Sequence, residues 1–183
     1  FASQNKKDFF NLLDVYLDAA FFPNLDGLDF SQEGQRLELE DPSRLDSPLT
    51  YKGVVYNEMI GSMSSPTSRL WQSITTHLFP DTTYRFNSGG EPRDIPNLRH
   101  ADLLAFHKEH YHPSNAMFFT FGDLDPKVIQ AQIEDQVLKH FQATDVSHIR
   151  VNDQPRFIAP IAVEQAYHHE QEKAQTHIVL NWL

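Results

Sequence analysis

The sequence contains no cysteine among its 183 residues. This excludes a disulfide-stabilised scaffold and any metal site built on thiolates, and it leaves the redox compartment undetermined. Basic residues are also scarce, with 15 Lys and Arg against 25 Asp and Glu and a formal net charge of −10. Because phosphate neutralisation needs clustered cations, this balance disfavours a nucleic-acid partner.

Long apolar runs are absent as well. No stretch approaches the roughly 20 apolar residues that span a bilayer, so we expect no membrane partner. Residues 1–4 (FASQ) lack both the methionine and the basic segment of a signal peptide. We therefore expect a soluble internal piece of a longer protein, from bacterial cytoplasm or periplasm or from an organelle matrix.

Apolar material is nevertheless plentiful, at 40% of the residues with 14 Phe. This is enough for a packed core and argues against general disorder. Helical periodicity or capping patterns predict helices at residues 6–20, 51–60, 65–78, 97–111 and 125–141. Alternation predicts a strand at residues 36–40, and apolar composition predicts strands at residues 116–121 and 176–182. The order indicates an α+β (mixed α/β) two-layer fold with helices on a mainly antiparallel sheet.

The same pass along the chain predicts a domain boundary. Residues 142–163 lose periodicity and contain Pro155 and Pro160, as expected of a linker. We therefore place one incomplete domain at residues 1–143. Residues 144–183 are then a linker and the first strand of a following domain.

Glu58 is the residue of greatest chemical interest. On the helix predicted over residues 51–60 it lies one turn after Val54 and Val55 and shares their face. A carboxylate buried on that face costs several kcal/mol unless a cation, a metal or hydrogen-bond donors compensate. A small rotation of the helix would instead bring Glu58 to solvent. The pattern alone leaves both interpretations open.

A second group of candidate ligands is His107, His110 and His112. Histidines three residues apart on a helix could share a metal ion. Pro113 follows directly, however, so this helix is ending, and cations are favoured at helix C-termini for purely structural reasons. Two further candidates, the His168-His169-Glu170 run and the Gly89-Gly90 pair, are better interpreted as a solvated loop and a turn.

Residues 51–61 (YKGVVYNEMIG) resemble the helix of M16 peptidases that carries the third zinc ligand. Further blocks resemble the presequence-protease branch of that family and occur in the same order. They comprise residues 8–19, 32–34 with 36, 78–81, 89–90, 106–107 with 111–116, and 122–123. Several blocks in a set order are more specific than any one of them, and they cover about residues 1–126. Residue 142 onward is interpreted as the passage into a second, related domain.

The resemblance implies a zinc ion held by two histidines of an inverted His-x-x-Glu-His motif and by one downstream glutamate. On this mapping Glu58 is the third zinc ligand. None of the ten histidines belongs to such a motif. We therefore expect the motif, including its general base, upstream of Phe1. No catalytic residue and no other cofactor-binding residue is assigned within this chain.

The resulting prediction is part of a zinc metalloendopeptidase that degrades short unstructured peptides. The chain alone is expected to be inactive, with its zinc site absent or incomplete. The alternative is a non-catalytic M16-like module that binds or scaffolds. An incomplete domain would expose apolar faces and an unpaired sheet edge, so we also expect self-association. The peptide sequence cleaved, the compartment and the oligomeric state stay open.

Overall fold

The computed structural model describes residues 1–167 and 175–183. In this part of the chain the α-helices are α1 (Lys6–Phe21), α2 (Gly27–Glu33), α3 (Val54–Ser64), α4 (Pro66–Leu78), α5 (His100–His110) and α6 (Pro126–Gln136). The strands are β1 (Arg36–Leu39) and β2 (Leu49–Lys52). Short 3-10 turns lie at Thr83–Arg85, Ile95–Asn97, Pro113–Asn115 and Leu138–His140. The predicted α+β class is confirmed.

The chain divides into two compact units. The first consists of Phe1–Asp26 and Arg99–Arg150, and the second of Gly27–Leu98 and Val151–Leu183. None of the boundaries between these units falls at residue 143, where the sequence predicts a domain boundary. That domain boundary stays a prediction.

The first unit is helical, and its core follows from helical spacing. Leu13 and Leu17 on α1 lie one turn apart, as do Ile129 and Ile133 on α6. These four side chains pack together with Val137, which is fully buried. Both helices begin at a capping side chain: Asn5 accepts from the backbone N–H groups of Lys7 and Asp8, and Asp125 accepts from that of Lys127.

The second unit contains the sheet. Strands β1 and β2 pair antiparallel, with Arg36 opposite Lys52 and Leu39 opposite Leu49. The carboxylate of Glu38 lies 2.6 Å from Arg36 Nε and 3.4 Å from Lys52 Nζ. The hydrogen bond from Arg36 is the main reason that the pKa of Glu38 lies below its ordinary value, and Lys52 adds to the effect.

Several predicted elements differ from the structure. The helix predicted at residues 51–60 is displaced, because residues 49–52 form β2 and α3 begins only at Val54. The helix also continues beyond residue 60, so that Gly61 lies inside α3. Helix α2 was not predicted at all. Residues 176–182 adopt no regular secondary structure instead of the expected strand.

The prediction of a buried central strand at residues 116–121 is wrong. Met117, Phe119 and Phe121 are 94%, 84% and 91% exposed, and the segment has no regular secondary structure. Phe118 packs against Phe21, with ring centroids 5.9 Å apart. The physical reason is that a strand needs a hydrogen-bonded neighbour. Within the described residues β1 and β2 pair only with each other.

Among the residues that the structure describes, no helix has both the length and the apolar character needed to cross a bilayer.

Candidate functional site

Helix α3 carries the candidate zinc ligand. Strand β2 ends at Lys52, Gly53 is the N-cap, and the first helical hydrogen bond runs from the Asn57 N–H to the Gly53 carbonyl at 2.9 Å. Met59 is the buried residue of the helix, at 8% exposure. The adjacent Glu58 is exposed. The helix therefore presents neighbouring positions to opposite environments.

The face that Glu58 shares with Val54 is not buried, since Val54 is itself 52% exposed. Of the two interpretations left open by the sequence, the structure adopts the one in which Glu58 reaches solvent. Its carboxylate forms no hydrogen bond or ion pair with any residue that the structure describes. An exposed carboxylate avoids the desolvation cost of a buried one. It is therefore free to bind a ligand that approaches from outside this helix.

The inner face of α3 rests on the Gly89-Gly90 turn. A Cβ added to Gly89 would lie 2.3 Å from the sulfur of Met59, so only glycine fits against that side chain as it stands. The turn is closed by a 3.0 Å hydrogen bond from the Gly90 N–H to the Asn87 carbonyl. Gly90 has φ of +94°, a conformation that favours glycine. The prediction of a turn at this pair is confirmed.

The three candidate histidines near residue 110 are each engaged in structural contacts. His107 Nε2 lies 2.9 Å from the Ala20 carbonyl oxygen, and its ring stacks on Tyr111. His110 packs on the ring of Phe106. His112 accepts a hydrogen bond from the Ser114 N–H at 3.1 Å. These contacts favour the structural interpretation, in which the histidines close α5 and join it to α1.

No group of three or more His, Asp or Glu side chains within residues 1–167 and 175–183 is arranged to hold a metal ion. The donor chemistry of Glu58 fits one zinc ligand, because carboxylate oxygen is an accepted partner of zinc. It does not fit a complete site, which needs about three protein ligands. The His168-His169-Glu170 run lies outside the described residues.

Sequence reasoning missed the surroundings of α3. Strand β2 overlaps the first two residues of the helix predicted at residues 51–60 and was not predicted. Its exposure alternates, with Leu49 and Tyr51 outward, as expected of a strand. The strand ends at the residue that precedes Gly53. The helix that carries Glu58 therefore follows a strand directly, with Gly53 as the one residue between them.

Comparison with known proteins finds a matching family model and several similar proteins. The family model described as "Peptidase M16 inactive domain" matches residues 97–183. The mitochondrial presequence protease of Danio rerio is 52% identical over 145 residues, covering 79% of this chain and 14% of that protein. Presequence protease 1, chloroplastic/mitochondrial, of Arabidopsis thaliana is 40% identical over 188 residues, covering 100% of this chain and 17% of that protein.

A bacterial protein is also similar to this chain. Protein HypA of Clostridium perfringens is 44% identical over 147 residues, covering 79% of this chain and 15% of that protein. The chain belongs to the M16 peptidase family, and the resemblance inferred from its motifs is confirmed. Within that family it is similar to the presequence proteases. It spans between 14% and 17% of the length of these three relatives.

Proposed function

We propose that this chain is part of a zinc metalloendopeptidase that degrades short unstructured peptides, and that Glu58 is its contribution to the metal site. The observation that carries the proposal is the exposed carboxylate of Glu58 on α3, which has no hydrogen-bond or ion-pair partner among the described residues. It lies within the segment that resembles the ligand-bearing helix of M16 peptidases. Relatives named presequence proteases support the peptidase class.

Each partner in the proposed site has a distinct role. A bound zinc ion would supply Lewis acidity for peptide-bond hydrolysis. Glu58 supplies one oxygen ligand and a negative charge from a helix that is anchored by the buried Met59. The two histidine ligands and the general base come from a segment outside this chain, as the resemblance implies. The peptide is the substrate, and the compartment is an organelle matrix or a bacterial one, in keeping with the relatives' names.

The proposal is tested by replacing Glu58→Gln in a full-length peptidase that contains this sequence. Loss of a ligand should weaken zinc binding by about 100-fold or more, since loss of a mere supporting residue costs about 10- to 100-fold. Peptide cleavage should fall in parallel. Zinc affinity is measured by competition with a chelator, and cleavage with an unstructured peptide.

The matched control is Glu134→Gln, which removes the same charge from an exposed position on α6. It should leave both quantities unchanged. Unaltered zinc affinity in the Glu58 variant would eliminate the ligand assignment. The 183-residue chain alone should bind no stoichiometric zinc and cleave nothing, and tight one-to-one zinc would contradict the proposed half site.

A specific observation favours the second candidate, a non-catalytic M16-like module that binds or scaffolds. The matching family model is described as an inactive domain and covers residues 97–183. Glu58 lies outside that range. Full-length protein that binds zinc but cleaves no peptide would support this second candidate over the first.

We also propose that the isolated chain associates with itself through residues 116–121. Met117, Phe119 and Phe121 are exposed at alternate positions of a short apolar segment without a strand partner in the described residues. Such segments pair readily with identical ones. Phe119→Lys should shift the sedimentation profile toward monomer. Leu45→Lys, at a 93% exposed loop position, is the control and should not.

A further inference from the structure

The junction between β2 and α3 contains a backbone contact that only glycine permits. Gly53 is buried at this junction. A Cβ added there would lie 2.2 Å from the Gly34 carbonyl oxygen, 2.7 Å from its carbonyl carbon and 2.9 Å from the Gln35 Cα. All three are backbone atoms, so no rotation of a side chain can relieve the overlap.

The backbone on the other side of this contact is itself held in place. The Gly34 N–H donates to the Phe30 carbonyl at 2.8 Å, which closes the end of α2. The Gln35 side-chain amide donates to the Pro96 carbonyl at 3.3 Å. The next residue, Arg36, opens β1 and pairs with Lys52, which directly precedes Gly53. The start of α3 therefore packs against a backbone segment that is held by these three contacts.

The contact between Gly53 and the Gly34–Gln35 backbone bears on the position of Glu58. Gly53 supplies the carbonyl for the first hydrogen bond of α3. Glu58 follows five residues later, about 7.5 Å along the axis of a regular helix. Displacing the helix start therefore displaces the carboxylate, because an α-helix moves as a rigid element over this length.

We propose that Gly53 is a positioning residue for the metal site and acts through its backbone contact with Gly34. The inference rests on the proposed function, in which Glu58 is a zinc ligand. A metal ligand must be held within a fraction of an ångström of its productive position. A side chain at position 53 should therefore weaken metal binding as well as lower the stability of the fold.

The test compares Gly53→Ala with Gly61→Ala in the full-length peptidase. Both changes add one methyl group to the same stretch of chain, but a Cβ at Gly61 meets nothing within 4 Å. Gly53→Ala should weaken zinc binding by about 10- to 100-fold, the range for residues that orient a ligand. Gly61→Ala should leave it within about twofold, since alanine suits a helix interior.

A spectroscopic readout separates positioning from general destabilisation. The cobalt-substituted enzyme reports ligand geometry through its visible absorption. Gly53→Ala should change the band intensities, while Gly61→Ala should reproduce the wild-type spectrum. Unchanged zinc affinity together with an unchanged cobalt spectrum in Gly53→Ala would overturn the inference.

A second variant keeps the inference testable if Gly53→Ala does not fold. Gln35→Ala removes the hydrogen bond to Pro96 without adding an atom. It should weaken zinc binding in the same direction by about 2- to 10-fold, the upper bound set by the net worth of one hydrogen bond. No effect of Gln35→Ala on zinc in a protein whose Gly53 variant is unfolded would overturn the inference as well. Zinc binding that survives Glu58→Gln identifies failure of the proposed function itself.

Discussion

The two compact units of this chain reach order by different means. In the first, α1 and α6 interlock aliphatic side chains one turn apart around the fully buried Val137. In the described part of the second, the side chains less than a tenth exposed are those of Met59, Ile95 and Thr82. Close backbone approach at Gly53 and packing at Gly89 take a larger part there. The candidate ligand Glu58 thus lies in the unit in which two close contacts require glycine, a residue without a side chain.

The largest expected effect comes from opening the side-chain core of the first unit. Ile129→Ala should lower the free energy of unfolding by about 2–5 kcal/mol, because it creates a cavity at a residue that is 3% exposed. Val128→Ala, next to it on α6 but 50% exposed, should cost less than about 1 kcal/mol. Urea unfolding followed by far-UV circular dichroism measures both. Equal losses would mean that the α1–α6 contact is not the core.

An intermediate effect is expected from filling the glycine contacts of the second unit. Gly53→Ala should cost about 1–3 kcal/mol, the range for overpacked sites, because the opposing atoms are backbone. Gly89→Ala should cost less, since it meets the flexible thioether of Met59, which can move aside. Urea unfolding of the two variants decides the order. A larger loss of stability for Gly89→Ala than for Gly53→Ala would mean that the contact at Gly89 is the more rigid of the two.

The smallest effect concerns the ion pairs of the hairpin. The folded pKa of Glu38 lies below its ordinary value of 4.5. Its contribution to stability is therefore complete above about pH 4.5 and is lost as the pH falls through the folded pKa. Glu38→Gln should flatten the acid end of the stability profile and leave the first unit untouched. An unchanged acid limb in that variant would show that other carboxylates control it.

Local patterns predicted the main helices of the first unit well, although they also predicted the incorrect strand at residues 116–121. The apolar spacing of α1 and the Asp125-Pro126 start of α6 are readable because capping and helical periodicity act within one turn of the chain. The same reasoning predicted α4 from Ser65 and Pro66, and the structure agrees from Pro66 to Leu78. It placed β1 correctly at residues 36–39 but missed its partner, since pairing is not a local property.

The candidate site divides in the same way. Glu58 could be singled out from the sequence because its segment resembles a known ligand-bearing helix. Its exposure could not, since both orientations of the helix satisfy the apolar pattern of Val54, Val55 and Met59. Gly53 and Gly34, which are in contact, are 19 residues apart in the sequence. No periodicity reports such a contact.

The sequence by itself determined the family, the α+β class and the identity of the candidate ligand, because motifs, periodicity and caps are written in neighbouring residues. Only the tertiary structure decided which face of α3 is buried and that the start of α3 packs against the Gly34–Gln35 backbone. It also decided that residues 116–121 pair with no strand in the described part of the chain. Each of these depends on which distant segment lies alongside. That choice is made by packing and hydrogen-bond pairing across the whole fold and not by local preference.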